Sequence, residues 1–376
     1  MPPALPPAKP LVDTPRIVQP AAYQAFFGNV SAVVPPGTEY VILLVDGDRK
    51  AVKVIHGNRV RLQAVLPRRD VRLRLVAVDG EGHRDTSPPV GPVLGLAASA
   101  APRLTASIED PALRRTVRTL ARKLPGIAGI YVQDLVTGRG AAWNARARFP
   151  AASTLKLAIA VEVMRGLRGP PANGSSVDAL MRSMLIYSDN GAANRLEAVI
   201  GGSTSGGSAK VNAMMRSVGL HDSEMYGGYE TEDRAIERAI PITSESQPAI
   251  SRTKFTTAWD LGRLLRFVHL AAGGKGPLVR RIAGFSPSEA RYLLYLLAHV
   301  VDHGKLDRFL PRNAVVAHKG GWITTARHDN GLVYWPGGDE GATVMAWSPG
   351  GVGSSADLLA GRVARAALDR FRTLKR

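Results

Sequence analysis

The chain has 376 residues, 45% of them hydrophobic, no cysteine and a formal net charge of +18, with an isoelectric point near 10.6. That length supports about two domains of ~100–200 residues with ample core, and the composition excludes wholesale disorder, disulfides, thiol catalysis and cysteine-based zinc sites. The charge favours anionic partners, with nucleic acid, anionic lipid and acidic cell-wall polymers all qualifying. Residues 1–104 hold 13 Lys or Arg against 8 Asp or Glu, and the remainder 36 against 23. No basic block is interleaved with aromatics, so an evenly basic surface is expected and specific nucleic-acid binding is not.

Residues 1–20 open MPPALPPAKP and read as an extended proline-rich leader, without the apolar core of a secretion signal. Over 21–97 the texture is β. YVILLVDGD (40–48), VRLQAVL (60–66) and VRLRLVAVDG (71–80) are separated by turn signals such as Asp46-Gly47, Gly57-Asn58 and Asp79-Gly80, which suggests a small immunoglobulin-like sandwich. Such a unit carries no catalytic constellation and is expected to be a spacer or binding module. Residues 98–106 read as a linker.

The texture then changes. PALRRTVRTLARKL (111–124) has the 3.6-residue apolar period of an amphipathic helix, and 127–144 read as two strands around Thr137-Gly138. Helices are expected near 153–166, 176–186, 190–200, 208–218, 256–272 and 288–302, strands at 313–318, 329–335 and 342–347, and a closing helix at 355–373. Residues 107–376 are therefore an α+β domain whose antiparallel sheet draws on both chain ends around a helical middle. No apolar run approaches the ~20 residues needed to span a membrane.

Three segments carry candidate chemistry. In FPAASTLKLA (149–158), Ser153 and Lys156 share a face at the start of a helix. The helix terminus favours negative charge on the serine oxygen, and a lysine kept neutral by burial could take its proton. Taken alone, the pair fits a serine cap beside a solvent lysine better, since Ser-x-x-Lys arises by chance in most proteins of this size. MLIYSDNGAANRL (184–196) breaks between helices at Ser188-Asp189-Asn190-Gly191, where the polar groups could face a cleft or simply cap a helix. VVAHKGGWITTARHDNGLVYW (315–335) places Lys319, Gly320, Gly321 and Trp322 on a strand. There the glycines let a substrate backbone lie close, or else mark a hairpin beside an exposed lysine.

The order of the three, Ser-x-x-Lys, Ser-Asp-Asn, then Lys-Gly-Gly, resembles the class A β-lactamases and the related penicillin-recognising serine D,D-peptidases, marked by S-x-x-K, S-D-N and K-T-G. The resemblance covers roughly 107–376 and extends to SDNGAANRL, FTTAWDLGRLL (255–265) and HDNGLVYW. It implies a β-lactamase/transpeptidase-like fold and a serine acyl-enzyme hydrolase needing no cofactor or metal. Its substrates would be β-lactams or, alternatively, D-alanyl-D-alanine peptides of peptidoglycan; a catalytically impaired wall-binding homologue is a third possibility. By resemblance, Ser153 is the nucleophile, Lys156 its base or relay, and Ser188 the proton donor to the leaving nitrogen. Asn190 would hold Lys156 and the substrate amide, Lys319 the substrate carboxylate, and the N–H groups of Ser153 and Trp322 the oxyanion. An extracytoplasmic location follows from the resemblance, with a leader expected upstream of this chain, and the basic surface would suit an anionic wall polymer.

Three departures matter. Gly320 stands where the family has Thr or Ser, and Thr324 or Thr325 is expected to replace that hydroxyl. Ser153 and Ser188 lie only 35 positions apart, which implies a trimmed cleft wall. The loop glutamate that activates the deacylating water, in a Glu-x-x-Leu-Asn setting, has no match; Glu230 and Glu232 are the nearest candidates. Tyr187-Ser188-Asp189 lacks the Tyr-x-Asn of the class C and esterase branch. GxSxG, GxxxxGK[ST] and HExxH are absent, and the eight histidines have no metal-ligand spacing.

Overall fold

The computed structural model describes residues 14–167, 169–230, 246–248 and 254–374. The chain divides into two compact units, the first ending at Ala101 and the second beginning at Pro102.

The first unit is built from strands β1 (Arg16–Gln19), β2 (Ala25–Phe26), β3 (Asn29–Val33), β4 (Thr38–Val45), β5 (Asp48–Val54), β6 (Arg59–Gln63), β7 (Asp70–Asp79), β8 (Arg84–Thr86) and β9 (Val90–Gly95). Strands β1, β3 and β6 form one sheet; β2, β9, β7, β4 and β5 form another, with β8 on β7. In β7, Val71, Leu73, Leu75 and Ala77 are buried while Arg72 and Arg74 are exposed, the two-residue period of a half-buried strand. Those residues join Val30 and Leu62 of the other sheet in one core, so the unit is a small all-β sandwich. The expected turn at Asp46-Gly47, both at positive φ, leads β4 back into β5, as an Asp-Gly hairpin should. Within the stretch 1–20 expected as a leader, Arg16–Gln19 pairs with β3, because Ile17 reaches the core.

The second unit runs β10 (Ile108–Glu109), α1 (Pro111–Ala121), β11 (Ile127–Asp134), β12 (Arg139–Trp143), β13 (Phe149–Pro150), a 3-10 turn at Ala152–Leu155, α2 (Lys156–Gly166), α3 (Ser176–Ile186), α4 (Asn190–Gly201) and α5 (Thr204–Ser217). There follow β14 (Phe255–Thr256), α6 (Ala258–Ala272), α7 (Gly276–Arg281), α8 (Pro287–Ala298), a 3-10 turn at Leu306–Phe309, β15 (Val315–Ile323), β16 (Ala326–Trp335), β17 (Gly338–Trp347) and α9 (Gly353–Leu374). The main sheet has the order β10-β12-β11-β17-β16-β15, so both ends of the unit do contribute to it. It is antiparallel except at its margin, where β10 runs parallel to β12.

One face of this sheet is closed by α1 and α9. Asp110 caps α1 by accepting from the Leu113 N–H at 3.0 Å, Pro111 occupies the first turn, and Leu113, Val117 and Ala121 face the core at the helical period. The same core takes Ala360, Val363, Ala367 and Phe371 of α9. Helix α6 covers the other face of the sheet. There Gly262 is held so close to Tyr131 that a Cβ would lie 2.5 Å from its ring. Helix α2 is buried from Lys156 to Met164, apolar apart from Lys156 and from Glu162, which Arg165 pairs, because other elements surround it. Its first residue is thus a lysine placed inside the protein.

Candidate active site

Ser153 lies in the turn that leads into α2, between β13 and the helix. Ala151 is anchored by its N–H to the Lys254 carbonyl at 2.7 Å, Ala152 takes φ +47°, and the Thr154 hydroxyl donates back to the Ala151 carbonyl at 2.6 Å. A non-glycine residue at positive φ is strained, and such strain persists only where surrounding contacts impose it. From the sheet, His328 supplies another restraint. Its Nε2 is 2.7 Å from the Pro150 carbonyl, while its Nδ1 accepts from the Ala346 N–H at 3.2 Å. Those partners require a proton on Nε2 only, and burial drives its pKa down to about 4, so His328 is a neutral strut beneath the turn.

Strand β15 passes directly over the serine. A Cβ built on Gly321 would sit 2.7 Å from the Ser153 nitrogen and 2.9 Å from the Thr154 nitrogen, so only glycine permits this approach. The adjacent Trp322 is two-thirds exposed, at 66%, and its indole plays no part in packing the turn.

The lysines and the Ser-Asp-Asn segment meet here. Ser188 adopts φ +62°, which directs its carbonyl to Lys156 and its hydroxyl to Lys319. The Lys156 ammonium donates to the Ser188 carbonyl and to Asn190 Oδ1, both at 2.5 Å, and lies 4.6 Å from the centre of the Tyr229 ring. Lys319 Nζ donates to Ser188 Oγ at 2.9 Å and to the Gly320 carbonyl at 2.8 Å. Burial lowers the pKa of Lys156 to about 8, against the opposing pull of Asp189, Glu230 and Glu197. Burial also lowers that of Lys319, to about 7, with the charges of Lys156 and Lys305 adding to the effect. Two buried amines sharing one serine thus both titrate near neutrality, the condition under which lysine serves as a base.

Asp189 caps α4, accepting from the Ala192 N–H at 2.5 Å. Asp189 thus caps the start of α4, while its neighbours Ser188 and Asn190 contact the lysines. Asn190 Nδ2 donates to Glu230 Oε1 at 2.7 Å, which links Lys156, Asn190 and Glu230 in a hydrogen-bonded chain. The segment before Glu230 is clamped from below. Asn194 exchanges two hydrogen bonds with the Tyr229 backbone, at 2.9 and 2.6 Å, and Asn212 exchanges two with Met225, at 2.6 and 2.8 Å. Glu232 lies outside the described residues.

Thr324 is not brought into this group. It stands exposed in the turn between β15 and β16, three residues past Gly321, its carbonyl facing Gly351. Thr325 is likewise in that turn, its carbonyl taken by the Ser348 N–H. What fills the space beside Gly320 is a lysine absent from the sequence-level list. Lys305, 1% exposed and paired with Asp302, has its Nζ 2.8 Å from where a Gly320 Cβ would lie. The loop that carries it is fixed by Asp329, which accepts from the Leu306 N–H at 3.2 Å and pairs with the buried His318 at 2.9 Å. A threonine at 320 would have to displace the Lys305 ammonium, a flexible side-chain end that now occupies the space beside the glycine. Lys305 is not flagged by the local sequence, and Asn194 and His328, though inside the stretches that carry the resemblance, are given no role by it, because each acts through a contact made by the folded chain.

Ser153, Lys156, Ser188, Asn190, Lys319, Gly321 and Glu230 are thus gathered in one cluster by direct contacts, and comparisons with known proteins address the fold and the family. The description "Beta-lactamase enzyme family" matches residues 112–169 and 168–371. A β-lactamase of Streptomyces fradiae is 28% identical over 271 residues, 64% of this chain and 80% of the relative; one of Streptomyces lavendulae is 25% identical over 274 residues, 65% and 79%. Among solved structures, PBP-A superposes with a TM-score of 0.58 at 21% identity, covering 72% of this chain and all of that one. An ancestral class A β-lactamase gives 0.56 at 22%, covering 69% and all of it. These two likenesses establish a β-lactamase/transpeptidase-like fold for the second unit. With a match running through most of its length and the three motifs converging in space, the chain belongs to the β-lactamase enzyme family.

Proposed function

We propose that the chain is a serine hydrolase that opens the amide of β-lactams through an acyl-enzyme on Ser153. The observation that carries this is the shared grip on Ser188: Lys156 holds its carbonyl and Lys319 its hydroxyl, with both amines pushed toward neutrality by burial. Neutral Lys156 takes the Ser153 proton as Oγ bonds to the lactam carbonyl carbon. The N–H groups of Ser153 and Trp322 receive the oxyanion. As the C–N bond breaks, the Ser188 hydroxyl hands a proton to the leaving nitrogen and is resupplied by Lys319. Glu230, fixed through Asn190, then takes a proton from the water that cleaves the ester. Lys319 and Lys305 together hold the substrate carboxylate, which offsets the hydroxyl missing at Gly320.

The same chemistry would cleave an acyl-D-alanyl-D-alanine peptide, the second substrate class compatible with these residues. Steady-state nitrocefin hydrolysis measured beside D-alanine release from such a peptide separates the two: nitrocefin turnover with little D-alanine release fits the proposal, and the reverse replaces it with a D,D-peptidase. Absence of both, with saturable peptidoglycan binding that survives Ser153→Ala, would make the chain a wall-binding homologue. We further place it outside the cytoplasm, where such substrates occur, with residues 21–97 as an immunoglobulin-like spacer or binding module and 107–376 as the hydrolase domain. No helix among the described residues is long and apolar enough to cross a membrane.

A further inference from the structure

We infer that the cleft between α1, the end of β12 and the start of α6 is a binding site for a flexible phosphodiester polyanion of the polyol-phosphate kind. The cleft, about 710 Å³, is lined by Arg114, Arg118, Arg122 and Arg146 with Trp143 and Trp259. It contains none of the residues gathered round Ser153. Arg114, Arg118 and Arg122 recur every four residues, so they form one stripe on α1 with about 6 Å of rise between neighbours and about 12 Å end to end. That face is opposite in character to the buried one, Leu113, Val117 and Ala121, and is not required by the packing of the helix.

Two observations define the ligand. First, the counter-charge is thin. Arg114 has Glu109 at 3.2 Å and Arg146 has Asp222 at 3.4 Å, both on exposed guanidiniums where such pairs are weak. Arg118 and Arg122 have no carboxylate within ion-pair distance among the described residues. Four planar forks with free donors suit phosphate or carboxylate oxygens. Second, the indoles are already covered. Arg122 lies over Trp143 at 5.7 Å, and Arg146 and Arg263 lie over Trp259 at 4.8 and 5.8 Å. Rings so occupied hold guanidiniums in place and are not bare platforms for stacked bases, on which single-stranded nucleic acid binding relies. A line of anionic groups on a chain without aromatic bases fits both observations.

The test uses the full chain and poly(glycerol phosphate) as probe, with binding followed by fluorescence anisotropy at 0.15 M salt. Arg118→Glu with Arg122→Glu reverses two exposed cleft charges; Arg115→Glu with Lys123→Glu makes the same net change in the same segment, α1 and the turn after it, at positions that do not line the cleft. The cleft pair is expected to weaken binding at least about tenfold, and to reduce the slope of log affinity against log salt by roughly 1.4, the single-strand value for two contacts. The control pair should cost no more than a few-fold. Labelling of Ser153 by a fluorescent penicillin should be unchanged in both, which verifies folding and keeps this outcome separate from that of the hydrolase proposal. Equal losses in the two pairs would reduce the effect to diffuse charge and overturn the inference. So would absence of binding, or tighter cleft-dependent binding of single-stranded DNA with the same number of phosphates.

Discussion

Substituting Gly321 by alanine tests how closely β15 must approach the nucleophile turn. The new Cβ would stand 2.7 Å from the Ser153 nitrogen and 2.9 Å from the Thr154 nitrogen. Both are backbone atoms of a turn already pinned through Ala151, Thr154 and Pro150, so neither yields easily. Ordinary contact begins near 3.4 Å, and the strand must therefore retreat by about 0.7 Å to clear the nearer atom, 2.7 Å away. A hydrogen bond of about 2.9 Å to the oxyanion then stretches beyond its useful range. Complete loss of one oxyanion donor costs about 10²–10³ in rate, so a partial opening should slow acylation about 10–100-fold, while the overpacking itself costs about 1–3 kcal/mol of stability. Gly320→Ala is the internal control, since its Cβ meets the ends of Lys305 and Asp302, 2.8 and 3.0 Å away, and side-chain ends can swing aside. Single-turnover acylation by a chromogenic cephalosporin, with melting temperatures measured in parallel, reads both variants. Near wild-type acylation in Gly321→Ala, or an equal loss in Gly320→Ala, would refute the reasoning.

Three other outcomes follow from the same geometry. Acylation of the free enzyme needs Lys156 neutral, which rises with pH through about 8, and Lys319 charged, which is lost above about 7. Its second-order rate should therefore trace a narrow bell between those values, reporting the coupled pair; a rate that climbs without decline to pH 10 would remove Lys319 from the charged role. The folded Lys319 pKa lies below the unfolded 10.5, so from about pH 7 to 10.5 the unfolded chain holds a proton that the folded chain does not. The burden of burying Lys319 is thus full below pH 7 and fades as pH rises. Lys319→Met should raise the melting temperature at pH 6 more than at pH 9.5 while abolishing efficient acylation, and a uniform loss of stability would contradict this. Glu230→Gln should leave acylation within a few-fold and slow release of the acyl group at least about 10²-fold, seen as a stable adduct after a burst; unchanged turnover would hand that task to another base.

How much was legible in the sequence differs by residue type. The α+β order, the helix at 111–121 and the hairpin at 127–143 follow from periodicity and turn residues, which are local. Helix α5 begins at Thr204, four residues before the expected start, because Gly206 and Gly207 weaken the pattern. Gly207 is demanded by packing, since a Cβ there would lie 2.4 Å from the Glu197 carbonyl of α4. The proline-containing α7 and the four-residue β1 are too short for a period to emerge; tertiary burial specifies them. In the site, Ser153, Lys156, Ser188, Asn190 and Lys319 were legible through the family resemblance that the order of the three motifs carries, each motif alone being ambiguous. Lys305 was not, since its meaning depends on its filling the place of the side chain that Gly320 lacks, and Thr324 was misplaced because proximity along a strand is not proximity to its middle.

Ser153 as the acylated nucleophile is tested most directly by intact-protein mass spectrometry after brief exposure to benzylpenicillin, with peptide mapping of any adduct. The wild-type chain should gain the mass of one penicillin on the peptide bearing Ser153, and Ser153→Ala none. An adduct that persists in Ser153→Ala, or a wild type that neither forms an adduct nor consumes the antibiotic, would contradict it.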